Sequence, residues 1–149
     1  MISLWSLLSI AHLLGLALAV GAATVKFTLL LKCSSNIAFA QHYMEVARPV
    51  TRLIILGLVL LTLSGISWIA LGFSLTPLLS VKVFFVAVVW VLGPIIDNVV
   101  EPKFRRLLPA PGEAPTPAFS RVQKQYVALE GIATGLLYVI TIMGTLVLR

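Results

Sequence analysis

An all-α, four-helix integral membrane bundle follows from three properties of this sequence. Hydrophobic residues make up 60% of it and charged ones only 11%, against about a quarter charged in ordinary globular domains. Its mean hydropathy is +1.08. Four apolar runs, at about 2–31, 53–71, 78–100 and 127–148, match the roughly 20 helical residues that cross a bilayer's hydrocarbon core. In a chain of 149 residues these runs form one domain, 1–149. They exclude a Rossmann or P-loop module and any sizeable catalytic core outside the membrane.

The first run contains Ala17-Leu18-Ala19, which resembles a signal-peptide cleavage site. No Lys or Arg precedes it and it is long, so it reads as a retained helix. In the connection 32–52, Ile37, Phe39, Ala40, Tyr43, Met44 and Ala47 recur among polar residues at helical spacing, which predicts a short amphipathic helix at the interface. The next connection, 72–77, carries no charge. The third, 101–126, holds Pro102, Pro109, Pro111, Pro115 and Pro117 with Gly112, a set that breaks helices and predicts an extended linker until helix resumes at Ser120.

Basic residues set the orientation. The first and third connections carry Lys32, Arg48, Arg52, Lys103, Arg105, Arg106, Arg121 and Lys124, whereas the other side has Arg149 alone. The positive-inside rule then puts both long connections in the cytoplasm and both termini on the outer, periplasmic side. The same rule accounts for the net charge of +6 without a nucleic-acid partner. The single cysteine, Cys33, has no companion for a disulfide or a CxxC site.

Ionisable groups within lipid are costly, so each is a candidate functional group. Here they are His12, Lys26, Lys82, Asp97 and Glu130. His12 to Lys26 spans about 21 Å of helix and Lys82 to Asp97 about 22 Å. If helices one and three are neighbours, one registration pairs Lys26 with Asp97 and levels His12 with Lys82. Glu130, about one turn into the fourth helix, joins the inner pair to make a charge cluster Lys26, Asp97, Glu130. The alternative is that these side chains snorkel to the interface.

His12 is too deep to reach water and shares a helix face with Gly15, Ala19 and Ala23, a small-residue stripe that favours close helix contact. Two readings stand: an imidazole satisfied by a carbonyl or hydroxyl of a neighbouring helix, or a haem or metal ligand or proton-transfer group. His42 lies about a membrane thickness away and cannot share an iron with it. Gly131 and Gly135, and Gly57 with Ser64 and Gly65, read as helix-packing positions. Trp5, Trp68 and Trp90 read as interface anchors or core.

Ile10-Ala11-His12-Leu13-Leu14-Gly15, Gly21, Ser64-Gly65, Leu92-Gly93-Pro94 and Pro102-Lys103-Phe104-Arg105-Arg106-Leu107 together resemble an uncharacterised family of small four-helix bacterial integral membrane proteins. That family is distantly similar to the membrane domain of copper-resistance protein D and to HemJ-type protoporphyrinogen oxidases. The resemblance implies functional roles for His12 and Lys82 and a bound haem b. The tryptophan and arginine that the HemJ type carries later in helix one are absent, Val89-Trp90 stands where a second histidine is expected, and Leu148-Arg149 replaces a terminal Lys-Pro.

The function expected from these readings is a bacterial inner-membrane protein with a polar site at His12 and Lys82, holding haem b for electron or proton transfer. A second expectation is a cofactor-free accessory or assembly subunit, in a larger complex or a homo-oligomer. The third is copper permeation, for which Met1, Met44, Met143 and Cys33 form no soft-ligand path.

Overall fold

The computed structural model describes residues 3–110 and 112–147, the last without its side chain. Four stretches of helix are long and apolar enough to cross a membrane, and no strand occurs among the described residues. The protein is thus a multi-pass, all-helical membrane protein. Helix α1 spans Leu4–Ser35 and α2 spans Phe39–Ala70. Helix α3, Pro77–Ile95, continues through a π turn, Ile96–Val100, into α4, Glu101–Arg106, as one rod. Helix α5 spans Pro117–Val147. Met1 and Ile2 of the first expected run, Pro111 of the linker, and Leu148 with Arg149 lie outside the described residues.

Local chemistry sets these limits. Ser3 caps α1, its hydroxyl accepting from the Ser6 N–H at 3.1 Å. A Thr-Pro pair starts both α3 and α5: Thr76 Oγ1 accepts from Leu79 N–H and Thr116 Oγ1 from Phe119 N–H, each at 3.2 Å. In both, proline fills the first turn, where its missing N–H has no bond to lose. The cap at Thr116 starts α5 at Pro117, three residues before the expected Ser120. Gly72, at φ +97°, ends α2 in a conformation that favours glycine.

Two boundaries differ from expectation. The amphipathic stretch after Ser35 is no separate interfacial helix. It is the first part of α2, which runs on through Pro49. Proline there forfeits one backbone bond without ending the helix. The helix of the third run likewise does not stop near Val100. Pro102 lacks an N–H and its ring would press on the carbonyl four residues earlier. The backbone widens instead, and the Glu101 N–H reaches Ile96 O, five residues back.

At 32 residues, α1 and α2 are each about 48 Å long, well over the roughly 30 Å of hydrocarbon. They form a hairpin across the short turn between Ser35 and Phe39. Helix α1 packs chiefly on α2 and secondly on α5, while α3 packs on α5. Along the apolar part of the bundle helices one and three are joined mainly through α5, but at the other end α1 meets the third rod directly, where Lys26 reaches Asp97 and Glu101. Helices α1 and α2 cross closely at Gly15 and Gly57: a methyl on Gly15 would come within 2.9 Å of Gly57 O, and one on Gly57 would strike the Ala19 backbone. On α5, Gly131 meets the Phe27 ring, but Gly135 faces open space.

Two apolar clusters lie along the bundle. One, around Ala19, Ala23, Leu58, Val89 and Leu137, is made of small and aliphatic side chains. The other gathers Tyr43, Phe104, Phe119 and Tyr126 at the end where α1, α4 and their following helices meet. All four of its rings are fully buried.

Candidate functional site: a buried charge cluster

Against that aromatic cluster sits Lys26, whose side chain is 2% exposed. The small-residue face of α1 that buries Ala19 and Ala23 buries it as well. Its Nζ lies 2.6 Å from Glu130 Oε1, 2.9 Å from Asp97 Oδ1 and 3.7 Å from Glu101 Oε2. The bond to Asp97 is an aligned hydrogen bond. The shorter approach to Glu130 is an ion pair outside hydrogen-bond angles, so Glu130 Oε1 has no hydrogen-bond partner among the described residues. Glu101 and Glu130 are nearly sealed from solvent, whereas the Asp97 side chain is 25% exposed.

Each carboxylate has a structural reason to be there. Asp97 lies in the π turn and Glu101 immediately follows it, so the widened turn presents both to α1. Glu130 is one turn beyond Tyr126 on α5, whose hydroxyl donates to Glu101 Oε2 at 3.1 Å. Tyr43 on α2 meets the Tyr126 hydroxyl at 2.8 Å. With Tyr126 donating to Glu101, the Tyr43 hydroxyl donates to Tyr126. A hydrogen-bonded chain Tyr43–Tyr126–Glu101 thus leads from α2 to the cluster. Arg105 Nη2 lies 3.7 Å from Glu101 Oε1, on the exposed side.

The chain matches no protein-family model, no curated protein and no solved structure. The reading of the site accordingly rests on its geometry.

Lys26, Asp97 and Glu130, levelled by depth in the sequence, meet in space. Glu101, Tyr43 and Tyr126 were missed because Glu101 and Tyr126 were assigned to the third connection and Tyr43 to an interfacial amphipathic helix. The signal for them is four-residue spacing, Asp97 to Glu101 and Tyr126 to Glu130, which puts each pair on one helix face. His12 and Lys82 do not meet in a hydrogen bond. His12 Nδ1 lies 2.8 Å from Ser64 Oγ on α2, and its ring sits 4.8 Å from that of Trp68. Ser64 Oγ donates to Leu60 O at 2.6 Å, which leaves a lone pair to accept from His12 Nδ1–H. The half-buried Lys82 places its Nζ over Gly144 of α5, 3.1 Å from where a methyl would stand. His42 is exposed on α2, stacked on Phe39 with ring centres 6.4 Å apart.

A haem held by His12 and Lys82 needs a slot between them. The His12 ring packs on Ser64 and Trp68 of α2 close to the tight Gly15–Gly57 crossing, and the cavities at Asp97 and at Gly21 are lined by neither His12 nor Lys82. No chemistry is derived through a haem. No group of three or more His, Cys, Asp or Glu side chains suited to a metal occurs among the described residues. Cys33 and Met44 pack at the aromatic end while Met143 is buried on α5 beyond Ile140, so their sulfurs line no common path.

Proposed function

We propose that this is a bacterial inner-membrane protein whose Lys26–Asp97–Glu101–Glu130 cluster holds and passes a proton near the cytoplasmic face. The charge balance carries this reading. Three carboxylates meet one lysine and the rim contact of one arginine, which leaves one carboxylate more than the cations that touch them. Three carboxylates gathered on one buried lysine repel one another, which favours keeping a proton among them. A shared proton restores the balance. Asp97, the partly exposed member, lines an open cavity of about 440 Å³ and gives that proton a way to water. The tyrosine chain from Glu101 gives it a second hydrogen-bonded neighbour.

Infrared spectroscopy of the protein in lipid vesicles tests this directly. A protonated-carboxyl C=O stretch is expected at neutral pH, lost in Glu130→Gln or Glu101→Gln. A spectrum with ionised carboxylates only overturns the reading. Its sidedness rests on eight basic residues flanking this end, which favour the cytoplasm. A cysteine at Ser74 should react with an impermeant thiol reagent from outside and one at Gly112 should not; reversed labelling inverts the orientation.

A second reading, an accessory subunit or homo-oligomer, is favoured by Gly21, Gly65, Gly93 and Gly135. An added methyl at any of these meets nothing within 4 Å, so they are outward-facing positions where a partner helix can approach closely.

A further inference from the structure

The cavity beside Asp97 has a second property that proton transfer does not use. Its walls carry Arg48 and Arg52 from α2 and Arg105 and Arg106 from α4, with Thr51 between the first two. Only Arg105 has an acidic partner; Arg48, Arg52 and Arg106 form no salt bridge among the described residues. The acidic residues of the same cavity, Asp97 and Glu101, each hold one oxygen near Lys26, and the other Glu101 oxygen meets Arg105. Thr51 Oγ1 is buried and has no hydrogen-bond partner among the described residues. Three arginines without an acidic partner there, together with the threonine, thus line one concavity from two separate helices.

The depth of the cavity is also informative. Directly after Arg52 come the 18 apolar-rich residues Leu53–Ala70, about 27 Å of helix, which nearly fills the hydrocarbon thickness. The arginines therefore stand at the level of lipid headgroups. Guanidinium forks suit tetrahedral oxyanions bidentately, which distinguishes such a set from a diffuse basic loop that only sets orientation.

We propose that the cavity of Arg48, Thr51, Arg52, Arg105 and Arg106 is a binding site for a phosphate group. Its sources are the headgroup of an anionic phospholipid or soluble phosphate. The test uses the full chain in neutral detergent, titrated with short-chain phosphatidylglycerol and, separately, with inorganic phosphate, and read by native mass spectrometry and tryptophan fluorescence. Stoichiometric binding is expected, with affinity falling about fivefold for each arginine neutralised and about twentyfold in Arg48→Gln/Arg52→Gln. Arg121→Gln/Lys124→Gln, on α5 and outside the cavity, should bind as the parent does. Phosphatidylglycerol binding that inorganic phosphate fails to displace assigns the lipid as the source; displacement by millimolar phosphate assigns the soluble anion. Because the arginines are exposed, the variants should fold. Should the double Gln variant not, Arg48→Lys/Arg52→Lys keeps the charge and removes the fork, and it should still weaken binding. Equal loss in the α5 control, or no saturable binding of either probe, overturns the site.

Discussion

The two ends of this bundle are built under different rules. At the basic end Tyr43, Phe104, Phe119 and Tyr126 are wholly buried, and four ionisable side chains meet in the interior. At the opposite end Leu13 and Leu75 are each 63% exposed and Phe84 62%, while small residues and aliphatics make the contacts. Lipid explains the contrast. Between helices in hydrocarbon there is no hydrophobic drive, since a lipid tail is as apolar as a leucine, and close backbone packing does the joining. Where helices project into the interface, water returns and a core of the soluble kind becomes favourable. The charge cluster lies at the boundary of the two regimes, where aromatic packing shields it and water is still within reach of Asp97.

The largest expected effect tests whether the cluster is an integral part of that end. Lys26→Met removes the cation that three carboxylates share and should cost about 3 to 5 kcal/mol in detergent unfolding. Adding Glu130→Gln should recover more of the loss than adding Asp97→Asn, because Glu130 is the closer and more buried partner. Equal melting of Lys26→Met and the parent protein would mean that the lysine contributes no buried charge.

A paired truncation sharpens the comparison. Phe104→Ala empties a fully buried site packed on Phe119 and Tyr126, ring centres 5.1 and 5.3 Å away, and should cost about 3 kcal/mol. Phe84→Ala, facing lipid, should change stability by less than about 0.5 kcal/mol. Similar losses from the two would erase the distinction between the ends.

Within the apolar end, the Gly15–Gly57 crossing should be the sensitive point. Gly57→Ala presses a methyl into the α1 backbone and should cost about 1 to 3 kcal/mol. Gly65→Ala, one turn-pair further along the same helix with open space around it, should be neutral or gain up to about 1 kcal/mol from helix propensity. Thermal unfolding of the two variants side by side separates a tight crossing from a general aversion to larger residues in α2.

How much of this was legible beforehand depends on the length scale. Hydropathy shows four spans because lipid imposes an average property on about 20 residues at a time. The meeting of Lys26, Asp97 and Glu130 was legible as depth, since helical rise is uniform, and the contact between the first and third spans assumed for it forms at Asp97, while their apolar parts are bridged by α5. Glu101 was not legible. A proline-rich sequence reads as a linker, and only the π turn before Pro102 keeps Glu101 helical and turned inward. The merging of the amphipathic stretch into α2 was equally hidden, since Pro49 as a local signal points to a break.

The smallest expected effect concerns His12. Its Nδ1–H donates to Ser64, which is already bonded to Leu60 O, and interhelical hydrogen bonds of this kind average only about 0.6 kcal/mol in membranes. A double-mutant cycle of His12→Ala and Ser64→Ala should therefore return a coupling of about that size, well below the cost of Lys26→Met. The same samples carry a second readout. With the His12 ring packed on Ser64 and Trp68 beside the Gly15–Gly57 crossing, the purified protein incubated with haem b should show no stoichiometric Soret band, and His12→Ala should not differ from it. A band that His12→Ala or Lys82→Met abolishes would move the chemistry to the apolar end. A coupling of several kcal/mol without such a band would make the His12–Ser64 pair a stabilising polar contact comparable to those of the basic end, and the contrast between the two ends would then rest on aromatic packing alone.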